Sequence, residues 1–214
     1  MTSLTRPPAI PRKSIYRLSL YSRCLQRLSK NDVQTVSSET LAKAAGVKPA
    51  QLRKDLTHLG NIGRRGLGYT VKELEARIND VMGTNRLMPV VLVGAGNLGT
   101  ALLSYHGFAK EGFEIVAAFD SDPERLHPVH QAREEIRILS MEALPKFVRK
   151  HRVKMAILAV PGAVAQAVAN QLVACGIQGI LNFSPLLLQL PDHVMANNVN
   201  LAIELENLAY FVRS

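Results

Sequence analysis

The run Gly94-Ala95-Gly96-Asn97-Leu98-Gly99 has the GxGxxG spacing of a dinucleotide-binding turn. Between a strand and a helix, the first glycine permits a tight bend and the second lets backbone approach a pyrophosphate. The third lets helix and strand pack closely, with the helix N-terminus facing the phosphates. Asp120 ends the expected strand 113–119, about twenty residues past the last glycine, where a carboxylate accepts hydrogen bonds from an adenosine ribose. That favours NAD over NADP. A carboxylate there also suits the ribose of FAD or an adenosyl group, and an ordinary βα turn is the alternative that needs no ligand.

A second kind of chemistry lies upstream. Residues 1–88 carry 16 Lys+Arg against 6 Asp+Glu, whereas residues 89–214 carry 10 against 11, within a chain of net charge +9. The positive field therefore belongs to the N-terminal part and suits a polyanion, either nucleic acid or an anionic membrane surface. A solvated basic face is the bland alternative.

The elements that position the glycine turn follow from the pattern around it. Residues 90–93 are uniformly apolar and predict a buried strand, and Leu98, Ala101 and Leu102 predict the helix after it. Further strands are expected at 113–119, 136–139, 155–160 and 179–182, with helices at 141–151 and from Pro161 to Ala174. This βαβ succession predicts a Rossmann-like parallel sheet. Ligands in open α/β folds bind at the carboxyl ends of strands. Val160 and Pro161 after one strand, and Asn182, Phe183 and Ser184 after the next, are accordingly candidates for the nicotinamide end of a cofactor.

In the basic part, Ile15, Leu18, Leu25 and Leu28 predict an amphipathic first helix. Ser37-Ser38 offers an N-cap for a short helix that Gly46 terminates, and Pro49 suits the first position of the next. In that third helix Leu52, Leu56 and Leu59 form an apolar stripe. It leaves Gln51, Lys54 and His58 outward with Arg53 and Thr57 flanking them. Helix, tight turn and basic helix make a helix-turn-helix, whose second helix lies in the DNA major groove; two helices of an ordinary bundle are the alternative. Four glycines around Arg64 and Arg65 then predict a hairpin wing for backbone contact, and 71–82 a closing helix.

Cys24 and Cys175 have no metal-ligand spacing, and His127 and His130 around Pro128 read as surface loop. No apolar run has the length of a signal peptide or a membrane span, so a cytoplasmic protein without membrane attachment is expected. From Asn200 onward, Leu201, Leu205, Leu208 and Phe211 keep helical spacing, although 200–206 also alternates as a strand would. Such a helix would cover its own sheet or pack on a second copy, and palindromic DNA reading favours the homodimer.

Taken in order, Gln51-Leu52-Arg53-Lys54-Asp55-Leu56, Gly66-Leu67-Gly68-Tyr69, Gly94 to Gly99, Ala117-Ala118-Phe119-Asp120 and Gly179 to Pro185 resemble the bacterial redox-sensing repressor family Rex over nearly the whole chain. The resemblance implies an α/β protein with a winged helix-turn-helix domain at 1–86, a Rossmann NAD(H)-binding domain at 87–196 and a domain-swapped dimerisation helix at 197–214. It implies a homodimer that binds palindromic operator DNA and releases it when NADH displaces NAD+. It also implies Arg53 and Lys54 on the recognition helix, Arg65 in the wing, and Tyr105 near the nicotinamide. The chain departs from the family at Thr57-His58-Leu59-Gly60, usually Ser-Tyr-Phe-Gly, and at Ile62, usually aromatic. It has Asn200 where the family commonly has an aspartate that pairs across the dimer with the arginine matching Arg23.

The competing reading is a small NAD-dependent oxidoreductase with a basic N-terminal extension. It would need a substrate domain and a positioned acid or base, yet about thirty residues follow the last expected Rossmann strand and no Tyr-x-x-x-Lys occurs. A nucleotide module like the Rossmann domain of CoA ligases would accommodate 89–190 but leave the helix-turn-helix unexplained. A non-enzymatic regulator is expected.

Overall fold

The structure is a computed structural model that describes residues 10–64, 66–122, 129–131, 134–136 and 138–212. The chain divides into two compact units, Met1–Arg86 and Leu87–Ser214.

The first unit is a winged helix-turn-helix. Helix α1 (Arg12–Lys30) buries Leu18, Tyr21 and Leu25 at helical spacing. After β1 (Thr35–Val36), Ser37 caps α2 (Ser38–Ala44) by accepting the Thr40 backbone N–H at 3.0 Å. Helix α3 (Pro49–Leu56) begins at its proline and tightens into a single 3-10 turn, Thr57–Leu59. The expected stripe of Leu52, Leu56 and Leu59 is buried with Leu41 and with Val71, Leu74 and Ile78 of α4 (Val71–Met82). Strand β2 (Tyr69–Thr70) pairs antiparallel with β1. Ahead of it, Arg64 and Gly68 exchange both backbone hydrogen bonds at 2.9 and 3.0 Å, closing the wing.

The second unit contains β3 (Met88–Val93), α5 (Asn97–Leu103), α6 (Gly107–Lys110), β4 (Phe113–Asp120), β5 (Val129–Gln131), β6 (Glu134–Ile136), β7 (Ile138–Ser140) and α7 (Leu144–His151). It continues with β8 (Met155–Leu158), α8 (Gly162–Ala174), β9 (Gly179–Asn182), β10 (Met195–Asn198) and α9 (Leu201–Val212). Six strands form one sheet in the order β10-β9-β8-β3-β4-β7, each adjacent pair parallel. The central β3 has its successor β4 on one side and the later β8 on the other. This is the switch point at which an open α/β sheet leaves a crevice. Val91, Val93, Phe119, Leu158 and Ala165 bury one face, and Val90, Leu92, Leu103 and Ala118 the other.

The chain departs from the sequence expectation at two places. The strand expected at 136–139 is two elements: β6 folds back antiparallel on β5, and only β7 joins the sheet beside β4. A short apolar run carries no information about the direction of its pairing. The edge strand β10 was not expected, since Met195-Ala196-Asn197-Asn198 shows neither alternation nor an apolar run. The tail is helical, as its spacing predicts, and every residue of α9 is exposed, Leu205 at 66% and Phe211 at 72%. It does not cover its own sheet.

Candidate nucleotide site and nucleic-acid interface

At the carboxyl end of β3 the three glycines have three different physical reasons. Gly94 has φ of 95°, and a Cβ there would lie 2.5 Å from the Ala159 carbonyl oxygen and 2.7 Å from Val160 Cγ1. A Cβ on Gly99 would lie 1.9 Å from the Gly94 carbonyl oxygen, so that glycine lets α5 close onto the turn. At Gly96 a Cβ would meet no protein atom within 4 Å. Backbone conformation requires the first glycine and packing the third. The second is open toward the space where a pyrophosphate would approach, and Asn97 and Leu98 form the exposed first turn of α5 beside it.

Asp120 is joined directly to this turn. Its Oδ2 accepts the Ala95 backbone N–H at 2.8 Å, and its Oδ1 accepts the Asp122 N–H at 3.1 Å. The neighbouring turns are drawn to the same edge: Val160 packs on Gly94, and a Cβ on Gly162 would stand 3.4 Å from Pro185. Pro161 caps α8. Tyr105 is 57% exposed, with its ring edge-on to Phe108 at 5.0 Å between centroids.

Asn182 and Ser184 are placed differently from the expectation that they face a ligand. Both are buried, and Asn182 Oδ1 accepts from the Ser184 backbone N–H at 3.0 Å and from its hydroxyl at 2.6 Å. Asn182 Nδ2 donates to the Leu186 carbonyl and to Asn198 Oδ1, each at 2.8 Å. Phe183 packs on the core beside Leu181, with its N–H on the Leu158 carbonyl at 2.8 Å. These side chains hold the loop in shape and leave its backbone and its proline at the rim.

In the first unit Arg53, Lys54, Thr57 and His58 are exposed along α3 and its 3-10 turn, and Arg64 is exposed in the wing. Arg65 lies outside the described residues, as do His127, Pro128 and Arg137. Arg53 donates to Ser38 Oγ at 3.2 Å. It shares with Ser38, Glu39, Arg64 and Tyr69 a groove of about 530 Å³ between α2, α3 and the wing.

Gln51, expected on the outward face, is turned inward: its amide donates to Asp55 Oδ1 at 3.0 Å. Asp55 is 1% exposed and also accepts from Arg17 at 2.6 and 2.7 Å and from the Tyr21 hydroxyl at 2.8 Å. A buried carboxylate needs such donors, and four bonds satisfy it here. Burial alone would push the Asp55 carboxyl up, but the bonds from Arg17, Tyr21 and Gln51, with the Ser14 hydroxyl nearby, outweigh it and hold it down to about 2. Burial first, and then the bond to Asp55, raise the Tyr21 hydroxyl. This hub was missed in the sequence, although Asp55 sits on the buried stripe three residues after Leu52 and four before Leu59.

Among the described residues no group of three His, Cys, Asp or Glu is placed to hold a metal. Cys24 and Cys175 are half-buried free thiols, and burial raises both. No helix among the described residues is long and apolar enough to cross a membrane.

A winged helix-turn-helix joined to a parallel-sheet unit with an open glycine turn defines a DNA-binding regulator carrying a nucleotide fold. Comparison with known proteins agrees on both halves. The family described as "Putative DNA-binding protein N-terminus" matches residues 9–57, and "CoA binding domain" matches residues 85–186. The redox-sensing transcriptional repressor Rex of Pelotomaculum thermopropionicum is 45% identical over 94% of this chain and 93% of its own. That of Streptomyces coelicolor is 44% identical over 96% of this chain and 79% of its own. A crystal structure of RSP in complex with β-NAD+ and operator DNA matches with a TM-score of 0.87 at 35% identity, over 95% of this chain and 93% of that one. RSP in complex with β-NADH matches with a TM-score of 0.83 at 34% identity, over 95% and 94%. The chain belongs to the Rex family of redox-sensing transcriptional repressors. The "CoA binding domain" match covers the Rossmann unit alone and leaves the winged helix outside it. The relatives are repressors rather than enzymes.

Proposed function

We propose that the chain is an NADH/NAD+-responsive transcriptional repressor that works in the cytoplasm as a homodimer on palindromic operator DNA and leaves it when NADH binds. The observation that carries this reading is the glycine turn, closed by protein at Gly94 and Gly99, open at Gly96 and tied to Asp120. Relatives of the same length are redox-sensing repressors, and RSP has been crystallised with β-NAD+ on operator DNA and with β-NADH.

In this reading residues 94–99 hold the pyrophosphate and Asp120 the adenosine ribose. Val160, Pro161 and the loop 182–184 border the nicotinamide end, with Asn182 and Ser184 shaping that loop. Tyr105 is the aromatic group at that end. The bound cofactor supplies a nicotinamide ring that is cationic when oxidised and neutral when reduced, and the protein reads that difference. Arg53, Lys54, Thr57 and His58 face the major groove, while Arg64 and Arg65 of the wing contact phosphates. The unit at 1–86 binds DNA, that at 87–196 binds NAD(H), and 197–214 pairs two copies. The exposed apolar residues of α9 support that pairing. Selection of duplexes from a random pool by the wild-type chain, run beside a dehydrogenase assay with NADH, tests the reading. Enrichment of a palindrome without turnover is expected; turnover without enrichment would favour the oxidoreductase.

A further inference from the structure

Asn182 and Asn198 are register partners at the carboxyl ends of the parallel strands β9 and β10. Asn182 is 0% exposed, and both its donors and its acceptor oxygen are used within the protein. One donor goes to Leu186, in the loop that follows β9, and the other to Asn198. The Asn182 backbone carbonyl also accepts the Val199 N–H at 2.8 Å. Asn200 then caps α9, its Oδ1 accepting the Ala202 and Ile203 N–H groups at 3.0 and 3.3 Å. One buried amide thus grips both the loop at the nucleotide rim and the root of the exposed C-terminal helix. Neither can shift alone without leaving a buried N–H unpaired.

We propose that Asn198 is a positioning residue for the nucleotide response. By accepting the Asn182 amide at 2.8 Å, it makes the loop 183–186 and the root of α9 move as one body. Occupancy at the rim then reaches the helix through this bond and not through the edge strand as a whole. The pairing of β10 with β9 is backbone-made and survives any side-chain change at position 198. The inference rests on the function proposed above, deepening it by naming the contact that carries the signal.

The test compares wild type with Asn198→Ala and Asn198→Asp as full chains. The probe is a fluorescent palindromic duplex selected by the wild-type chain. The readout is the coupling factor, the ratio of duplex Kd at saturating NADH to that without it, because saturation removes any change in NADH affinity from the comparison. NADH affinity is measured separately by calorimetry. Asn198→Ala is expected to reduce the coupling factor at least about 5-fold while NADH Kd moves less than about 3-fold. Asn198→Asp keeps an acceptor for the Asn182 amide and is expected to stay within about 2-fold of wild type. Asn198→Ser, too short to reach, should behave as the alanine variant and replaces it if that chain folds poorly. An unchanged coupling factor in the alanine or serine variant overturns the proposal, as does an equal loss in the aspartate variant. A wild type that binds the duplex but ignores NADH would instead overturn the function itself.

Discussion

Asp120 Oδ2 accepts the Ala95 N–H at 2.8 Å, tying the end of β4 to the middle of the glycine turn. The carboxylate pre-shapes the turn and still has acceptor capacity for a ribose, since each of its oxygens carries more than one lone pair. Asp120→Ala removes both functions. NADH affinity should fall about 10-fold or more, the loss expected of a hydrogen bond to a charged group, and discrimination against NADPH should relax. Calorimetry with both nucleotides checks this. Unchanged affinity for NADH would remove Asp120 from the site.

The Arg17–Asp55 pair makes a stability prediction independent of any ligand. Asp55→Ala leaves Arg17, Tyr21 and Gln51 without their acceptor in a largely buried place and should cost about 3 kcal/mol by denaturant unfolding. The same contact sets an acid limit. The Asp55 carboxyl lies at about 2 in the folded chain against an ordinary 3.8, so its contribution is complete above about pH 5 and is lost as pH falls through about 2. An Asp55→Asn chain should show a shallower loss of stability over that interval than wild type.

The two basic surfaces of the first unit should separate in their DNA behaviour. Lys54 is exposed on the face of α3 proposed above to read the groove, whereas Arg64 stands in the wing. Lys54→Ala should weaken the selected palindrome more than random duplex. Arg64→Ala should weaken both, with the salt dependence of log Kd reduced by about one. Undiminished binding by both variants would place the interface elsewhere.

Helix α9 presents Leu201, Leu205, Leu208 and Phe211 to solvent, more apolar surface than a lone helix keeps in water without a partner. Leu205→Asp together with Leu208→Asp should convert the dimer to monomer in analytical ultracentrifugation and sharply weaken palindrome binding, because two half-sites then lose their linkage. A dimer that survives both changes would show that another face holds the copies together.

What the sequence disclosed followed the strength of the local signal. The stripe Leu52, Leu56 and Leu59, the Ser37 cap and the Pro49 start each have a single physical reading, and each is in place. The glycine turn was legible because φ, packing and approach impose separate demands at 94, 99 and 96. Less was readable where partners are distant in the chain. Gln51 turns inward because Asp55 needs donors, and Asp55 is buried because Arg17 and Tyr21 arrive from a different helix. Asn182 looked like a rim residue by its place after β9, but its partner Asn198 lies 16 residues away on a strand whose sequence carries no strand pattern. The hairpin β5–β6 was hidden for a similar reason: its pairing depends on what meets Glu134–Ile136, and Ile136 and Ile138 are equally apolar.

The measurement closest to the central claim is an anisotropy titration of the full wild-type chain on its selected palindromic duplex, with NADH added at fixed excess of NAD+. The account predicts that NADH releases the duplex in a saturable manner while the same concentration of NAD+ leaves it bound. It also predicts that, with NADH alone and no competing NAD+, Asp120→Ala shifts the release to higher NADH. Equal effects of NADH and NAD+, or no release at any NADH concentration, would contradict it, since a ligand with no differential affinity for the two states shifts nothing.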